Sequence, residues 1–221
     1  MHRGITAVLI AVIPVVVLAQ AQAPPVPAPP PPVAPAGEAV KVVDLVTPEG
    51  SAVFGAVWKN MDAKIVEGPA MPNAGPAWKT SYDVQPHAGE AGFDDSSWPV
   101  IDAKDLGARR GGGKLFMTWF RTTLTMPAKV GDLDVTGMKA VLSVTVDDYA
   151  EVWMNGQLPR AVGKPSPQVI AGFNMPNRVL LTAALKPGEK VQIAIFAING
   201  PISVAPPNPV FVRQAQIELL R

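Results

Sequence analysis

After Val40, apolar residues recur at every second position along much of the chain. Leu142, Val144 and Val146 alternate with Val141, Ser143 and Thr145. That period of two predicts a strand. Val191, Ile193 and Ile195 alternate with Gln192, Ala194 and Phe196, and the second set is also largely apolar. The pattern predicts a strand buried on both faces. Lys114 to Met126 predicts a longer strand with Phe116, Phe120, Leu124 and Met126 on one face. Phe211, Ala215, Ile217 and Leu219 mark a closing strand. Asn155-Gly156 follows the apolar stretch Ala150 to Met154 and predicts a type I′ hairpin, because both turn positions need positive φ. Pro187-Gly188 predicts a second turn. Short strands between turns, little helix and no internal repeat predict one all-β domain over residues 38–221, a sandwich of two antiparallel sheets.

The chain upstream follows other rules. His2 and Arg3 precede an apolar run from Ile5 to Leu18, and Ala19-Gln20-Ala21 offers small residues at both positions of a cleavage site. Residues 1–21 read as a secretory signal peptide, with the mature chain beginning at Gln22. A second small-residue pair, Ala21 and Ala23, is followed by Pro24, which disfavours cutting there. The apolar run falls short of the ~20 residues a bilayer requires, and Pro14 interrupts it. No stable membrane anchor is therefore expected after cleavage, and the expected location is periplasmic or extracellular. Residues 22–37 read as a linker: eight of the twelve residues from Pro24 to Pro35 are proline. Such a stretch favours extended polyproline II and cannot pack a core.

Composition narrows the chemistry. The chain has 221 residues, 48% hydrophobic, which suffices for a sizeable core. It has no cysteine, which removes disulfide scaffolds, thiolate metal sites and cysteine nucleophiles. His2 and His87 are the only histidines, and only His87 would survive export. The net charge is +1, from 19 basic and 18 acidic residues, so nucleic acid is not expected as a partner. Arg109 to Lys114 invites a phosphate-loop reading, but Ala108 stands where the first glycine belongs and Leu115 where Ser or Thr belongs. A strand follows it, so the segment reads as a flexible basic loop. His87 lies in a loop without a G-x-S-x-G elbow anywhere to supply a serine, and it reads as a surface histidine. No pair of carboxylates is singled out for glycoside hydrolysis, and no catalytic residue is assigned. No cofactor is expected; a structural calcium ion is compatible with the many oxygen ligands, although no EF-hand spacing marks a site.

Three segments in order carry a resemblance. They are Phe93-Asp94-Asp95-Ser96-Ser97-Trp98, then Val146 to Gly156 with its hairpin, then Leu185-Lys186-Pro187-Gly188 followed by Val191 to Phe196. Together they resemble galactose-binding-like jelly rolls, including the sugar-binding domains of family 2 glycoside hydrolases. Asp147 to Trp153, Gly172 to Val179 and Phe196 to Ser203 are also similar to the N-terminal accessory domain of exported gluconolactonase (senescence marker protein-like) propellers. That similarity covers about residues 55–221. A propeller would follow Arg221; its metal ligands have no positions here, so lactonase activity is not carried over.

The resemblance implies a galactose-binding-like jelly-roll β-sandwich that takes a carbohydrate ligand or docks a separately encoded propeller enzyme. A hydrolase in its own right is the third reading. In the FDDSSW element, Asp and Ser are expected to cap a turn while Trp98 anchors it to the core. Asp147 and Asp148 fall where a strand meets a loop, and Tyr149 can stack on a sugar face. The alternative is that the two carboxylates only serve the loop and the solvent. Trp119 and Arg121 share a strand face, either as a sugar platform or merely stacked together. The expected ligand-binding residues are Arg121, Asp147, Asp148, Tyr149 and Asn199.

Overall fold

The computed structural model describes residues 37–68, 81–112, 115–158, 176–199 and 209–221. The expected leader, the linker up to Ala36, Lys114, and the segments Gly172 to Met175 and Gly200 to Ser203 lie outside the described residues. Within them the chain runs β1 (Lys41–Asp44), α1 (Pro48–Val53), β2 (Trp58–Gly68), β3 (Ser81–Gln85), β4 (Val100–Ile101), a 3-10 turn (Ala103–Gly107) and β5 (Phe116–Thr125). It continues through β6 (Lys129–Val130), β7 (Leu133–Asp134), β8 (Lys139–Asp147), β9 (Tyr149–Met154), β10 (Asn177–Thr182), β11 (Lys190–Asn199) and β12 (Phe211–Leu220).

Two antiparallel sheets carry the fold. One has the order β1-β12-β8-β10; the other has β3-β2-β5-β11-β9, with β4 also on β2. From β8 to β12 the chain changes sheet at every strand, which is the jelly-roll manner of closing a sandwich. The period of two sorts the side chains. Leu142, Val144 and Val146 of β8, Val191, Ile193 and Ile195 of β11, and Phe120 and Leu124 of β5 share one buried core between the sheets, with Phe116 packed at its margin. The opposite set on β11, Ala194 and Phe196, is buried in a second cluster on the outer side of its sheet. That strand is therefore covered on both faces, as its sequence predicts.

Both turns form as expected. Asn155 has φ 49° and Gly156 φ 80°, and Met154 and Gln157 exchange backbone hydrogen bonds of 2.8 and 2.9 Å across them. This is the geometry that Asn-Gly favours. Gly188 has φ 84° in the turn after Pro187.

The closing strand forms as expected, with one break in its alternation. Phe211 shares sequence parity with Ala215, yet it lies on the opposite face from it. The register with β8 slips between Val212 and Gln214, leaving Arg213 as an extra residue. Such a bulge reverses the alternation. Val210 and Val212 therefore point into the core, while Phe211 lies outside between the guanidinium groups of Arg109 and Arg213, each 5.2 Å from its ring. Helix α1 was not anticipated, although its signal is present: Thr47 caps it through a 3.1 Å bond from Gly50 N–H, and Pro48 occupies the first turn.

Candidate functional site

The outer face of the β2-β5-β11-β9 sheet is set by parity and register. Glu151 of β9 is level with Phe196 of β11, which is level with Trp119 of β5, which is level with Met61 of β2. The next row holds Trp153, Ala194, Arg121 and Lys59. Two tryptophans and a phenylalanine are thus placed side by side. Trp119 and Phe196 have ring centroids 4.9 Å apart, and Trp119 meets Trp153 edge-on at 6.4 Å. Trp119 is 4% exposed, and its Nε1–H finds no acceptor among the described residues.

A strap, residues 86–98, crosses this face. Ala88 and Trp98 are buried in the outer cluster with Met117, Trp119, Ala194 and Phe196, while Phe93 packs against it. Arg121 fastens the strap. Its Nε donates to Asp95 Oδ2 at 2.8 Å, and its Nη atoms donate to the carbonyls of Ala88, Glu90 and Phe93. Lys59 adds a 2.7 Å ion pair to Asp95. Burial pushes the Asp95 carboxyl up, but the bonds from Lys59 and Arg121 outweigh it and hold the group below the ordinary 3.8. Asp94 accepts from Ser96 N–H at 2.9 Å, which caps the turn as the sequence suggests. A methyl group added at Gly89 would stand 2.6 Å from the Trp153 ring, so the strap passes directly over that indole.

Between strap and sheet lies a cleft of about 460 Å³, within the ~300–1,000 Å³ common for small-molecule sites. Its floor is Trp119, Trp153 and Phe196; its rim carries Asp83, Glu90, Glu151 and His87. The Trp153 indole N–H donates to Glu151 Oε2 at 3.3 Å. His87 Nε2 sits 2.8 Å from Asp83, and its Nδ1 lies 3.5 Å from Glu90. The bond to Asp83 raises the His87 pKa above the ordinary 6.5 and lowers that of Asp83 below 3.8.

The five expected ligand residues divide. Asp147, Asp148, Tyr149 and Asn199 gather at one end of the sandwich, where β8, β9 and β11 end or begin. There Arg213 donates to Asp147 at 2.5 Å, and Asn199 is only 1% exposed. Arg121, on β5, is level with Ala194, five residues along β11 from Asn199 and about 17 Å away at strand spacing. It is 3% exposed, and its guanidinium is occupied by the strap. Of the Trp119–Arg121 pair, the tryptophan lines the cleft and the arginine holds the strap over it.

Sequence reasoning did not find the cleft as a site. Its rim and floor come from residues between positions 83 and 196 on four separate segments, and only register places them together. The available signal was the second apolar set of β11, which implied a covered outer face.

No family model matches the sequence, and no curated protein matches it. Among solved structures, the chain is similar to Bacteroides uniformis β-glucuronidase 2 bound to cyclophellitol-6-carboxylate aziridine, at 17% identity and a TM-score of 0.46. That match covers 81% of this chain and 18% of the other. It is also similar to a β-glycosidase from Bacteroides vulgatus, at 18% identity and TM-score 0.38 over 79% of this chain and 20% of that one. A family 2 glycosyl hydrolase from Bacteroides cellulosilyticus gives 14% identity and TM-score 0.39 over 74% and 20%. The chain spans about a fifth of the length of each of these enzymes.

Proposed function

We propose that this chain is an exported binding module without chemistry of its own, and that it seats a saccharide in the cleft under the strap. One observation carries the reading: the cleft combines an aromatic floor with a rim of hydrogen-bonding carboxylates. Sugar rings present apolar C–H patches edged by hydroxyls, and such a surface matches both. Trp153 is the half-buried member of the floor, and the part of its ring that Gly89 does not cover would provide the contact surface. An accessory role beside a sugar- or lactone-processing enzyme fits a module of this kind.

The test is a glycan array followed by calorimetry on the best ligand. Trp153→Ala is expected to weaken binding by at least about ten-fold, the scale of losing one aromatic contact. An array blank across all sugars overturns the reading. Stable complex formation with a purified gluconolactonase-type propeller would, together with that blank, favour the docking role instead.

A further inference from the structure

A buried polar group without a partner is rare in a folded protein, and each one calls for an explanation. The cleft floor holds such a group. Trp119 is 4% exposed and lines the cleft, and its Nε1–H meets no acceptor among the described residues. The polar groups of the rim are engaged with one another. Asp83 and Glu90 hold His87, and Glu151 accepts from the indole N–H of Trp153. The unmet group is therefore a donor on the floor, and it calls for an acceptor.

The surroundings of that donor select the kind of acceptor. A ligand carboxylate would be buried against a neutral N–H, with no lysine or arginine among the described residues that line the cleft to balance its charge. A ligand hydroxyl would carry a donor of its own onto a floor where the Phe196 and Val84 side chains offer no acceptor. An amide carbonyl accepts without adding a donor at the same atom, and a methyl group beside it packs on the aromatic faces.

We propose that the cleft is selective for saccharides that carry an N-acetyl group, with Trp119 donating its indole N–H to the acetamido carbonyl. The inference rests on the saccharide reading above and narrows its ligand class. In this structure the Trp119 nitrogen is covered, and the strap's Ala88 packs in the same cluster as its ring. The strap is fastened to the sheet by the side chains of Arg121 and Lys59 rather than by a strand ladder. It is the side of the cleft that shifts to admit the acetyl group.

Calorimetry with the full chain would compare sugars that differ only in the substituent at one carbon: N-acetylglucosamine against glucose oligomers, and N-acetylgalactosamine against galactose oligomers. The expected result is at least about ten-fold tighter binding of the acetylated member in one pair. Trp119→Phe keeps a ring and deletes the donor, so it should remove most of that preference. The smaller ring also loosens packing, which weakens both members of a pair alike and leaves their ratio intact. A second readout needs no variant: in nuclear magnetic resonance of the wild-type chain, the Trp119 indole N–H signal should move downfield and gain protection from exchange with the acetylated sugar alone. Equal affinity within both pairs overturns the N-acetyl inference and leaves the saccharide reading standing. An unmoved Trp119 signal under saturating acetylated sugar, or a preference that Trp119→Phe retains, overturns the role of Trp119. Silence from every sugar overturns both readings.

Discussion

The two larger buried apolar clusters among the described residues are built differently. Between the sheets, alternate residues of facing strands interlock; Phe120, Leu142, Ile193, Ile195 and Ile217 are each fully buried there. Nothing polar is needed to hold that core together, since hydrophobic burial is non-directional and grows with area. The outer cluster has a sheet on one side only. Its other side is a strap without regular strand structure, fixed by Arg121, Lys59 and Asp95 and wedged by Trp98. The first arrangement buries side chains from both sheets against one another. The second leaves a cleft beside the strap, with aromatic faces below and carboxylates around it. Close packing on two sides yields stability, whereas a one-sided cluster held by charges leaves room for a ligand.

The sharpest way to separate the regions is to empty each in turn. Phe120→Ala should destabilise the whole fold by about 3 to 5 kcal/mol, the range for removing a buried aromatic from a core that cannot collapse. Trp98→Ala should lie at the low end, about 3 kcal/mol, because the strap can relax over the space. Denaturant unfolding followed by both tryptophan fluorescence and far-ultraviolet dichroism checks this. If Trp98→Ala left stability untouched, the strap would not be part of the cooperative fold.

Asp95 tests what fastens the strap. Asp95→Ala leaves the Arg121 guanidinium buried without its carboxylate and should be destabilising by about 2 to 3 kcal/mol. The same contact gives a pH dependence. The Asp95 pKa in the folded chain is lower than in the unfolded chain, so its contribution is complete above the ordinary 3.8 and is lost as pH falls through the folded value. Acid titration should therefore change tryptophan fluorescence from the strap before strand dichroism falls. Simultaneous loss of both signals in wild type and in Asp95→Ala would show that strap and core are one unit.

The smallest effect concerns the hairpin that borders the strap. Asn155→Val should lower stability by about 1 kcal/mol, since a β-branched residue resists φ 49°. Gly156→Val should be worse, because an added Cβ would lie 2.6 Å from the Ala91 backbone nitrogen as well as at φ 80°. Equal melting temperatures for both variants and wild type would contradict the turn geometry.

Local chemistry made much of the fold legible. Alternation in β5, β8 and β11 assigned their faces correctly because the pleat has a fixed period, and Asn155-Gly156 announced its turn because few residues tolerate positive φ. Asp94 and Trp98 were readable for the same reason: a capping oxygen and a large apolar ring act within a few residues of themselves. What sequence alone could not decide depends on partners distant along the chain. The closing strand was legible, but the side of Phe211 was not, because a single bulge against β8 reverses parity. Arg121 reads equally well as part of a sugar platform or as merely stacked with Trp119 until the strap is laid over it. The cleft is the extreme case, since Asp83, Glu90, Glu151 and Trp153 are unremarkable singly. Strand register places them around one space, and register is set by the whole sandwich rather than by any local segment.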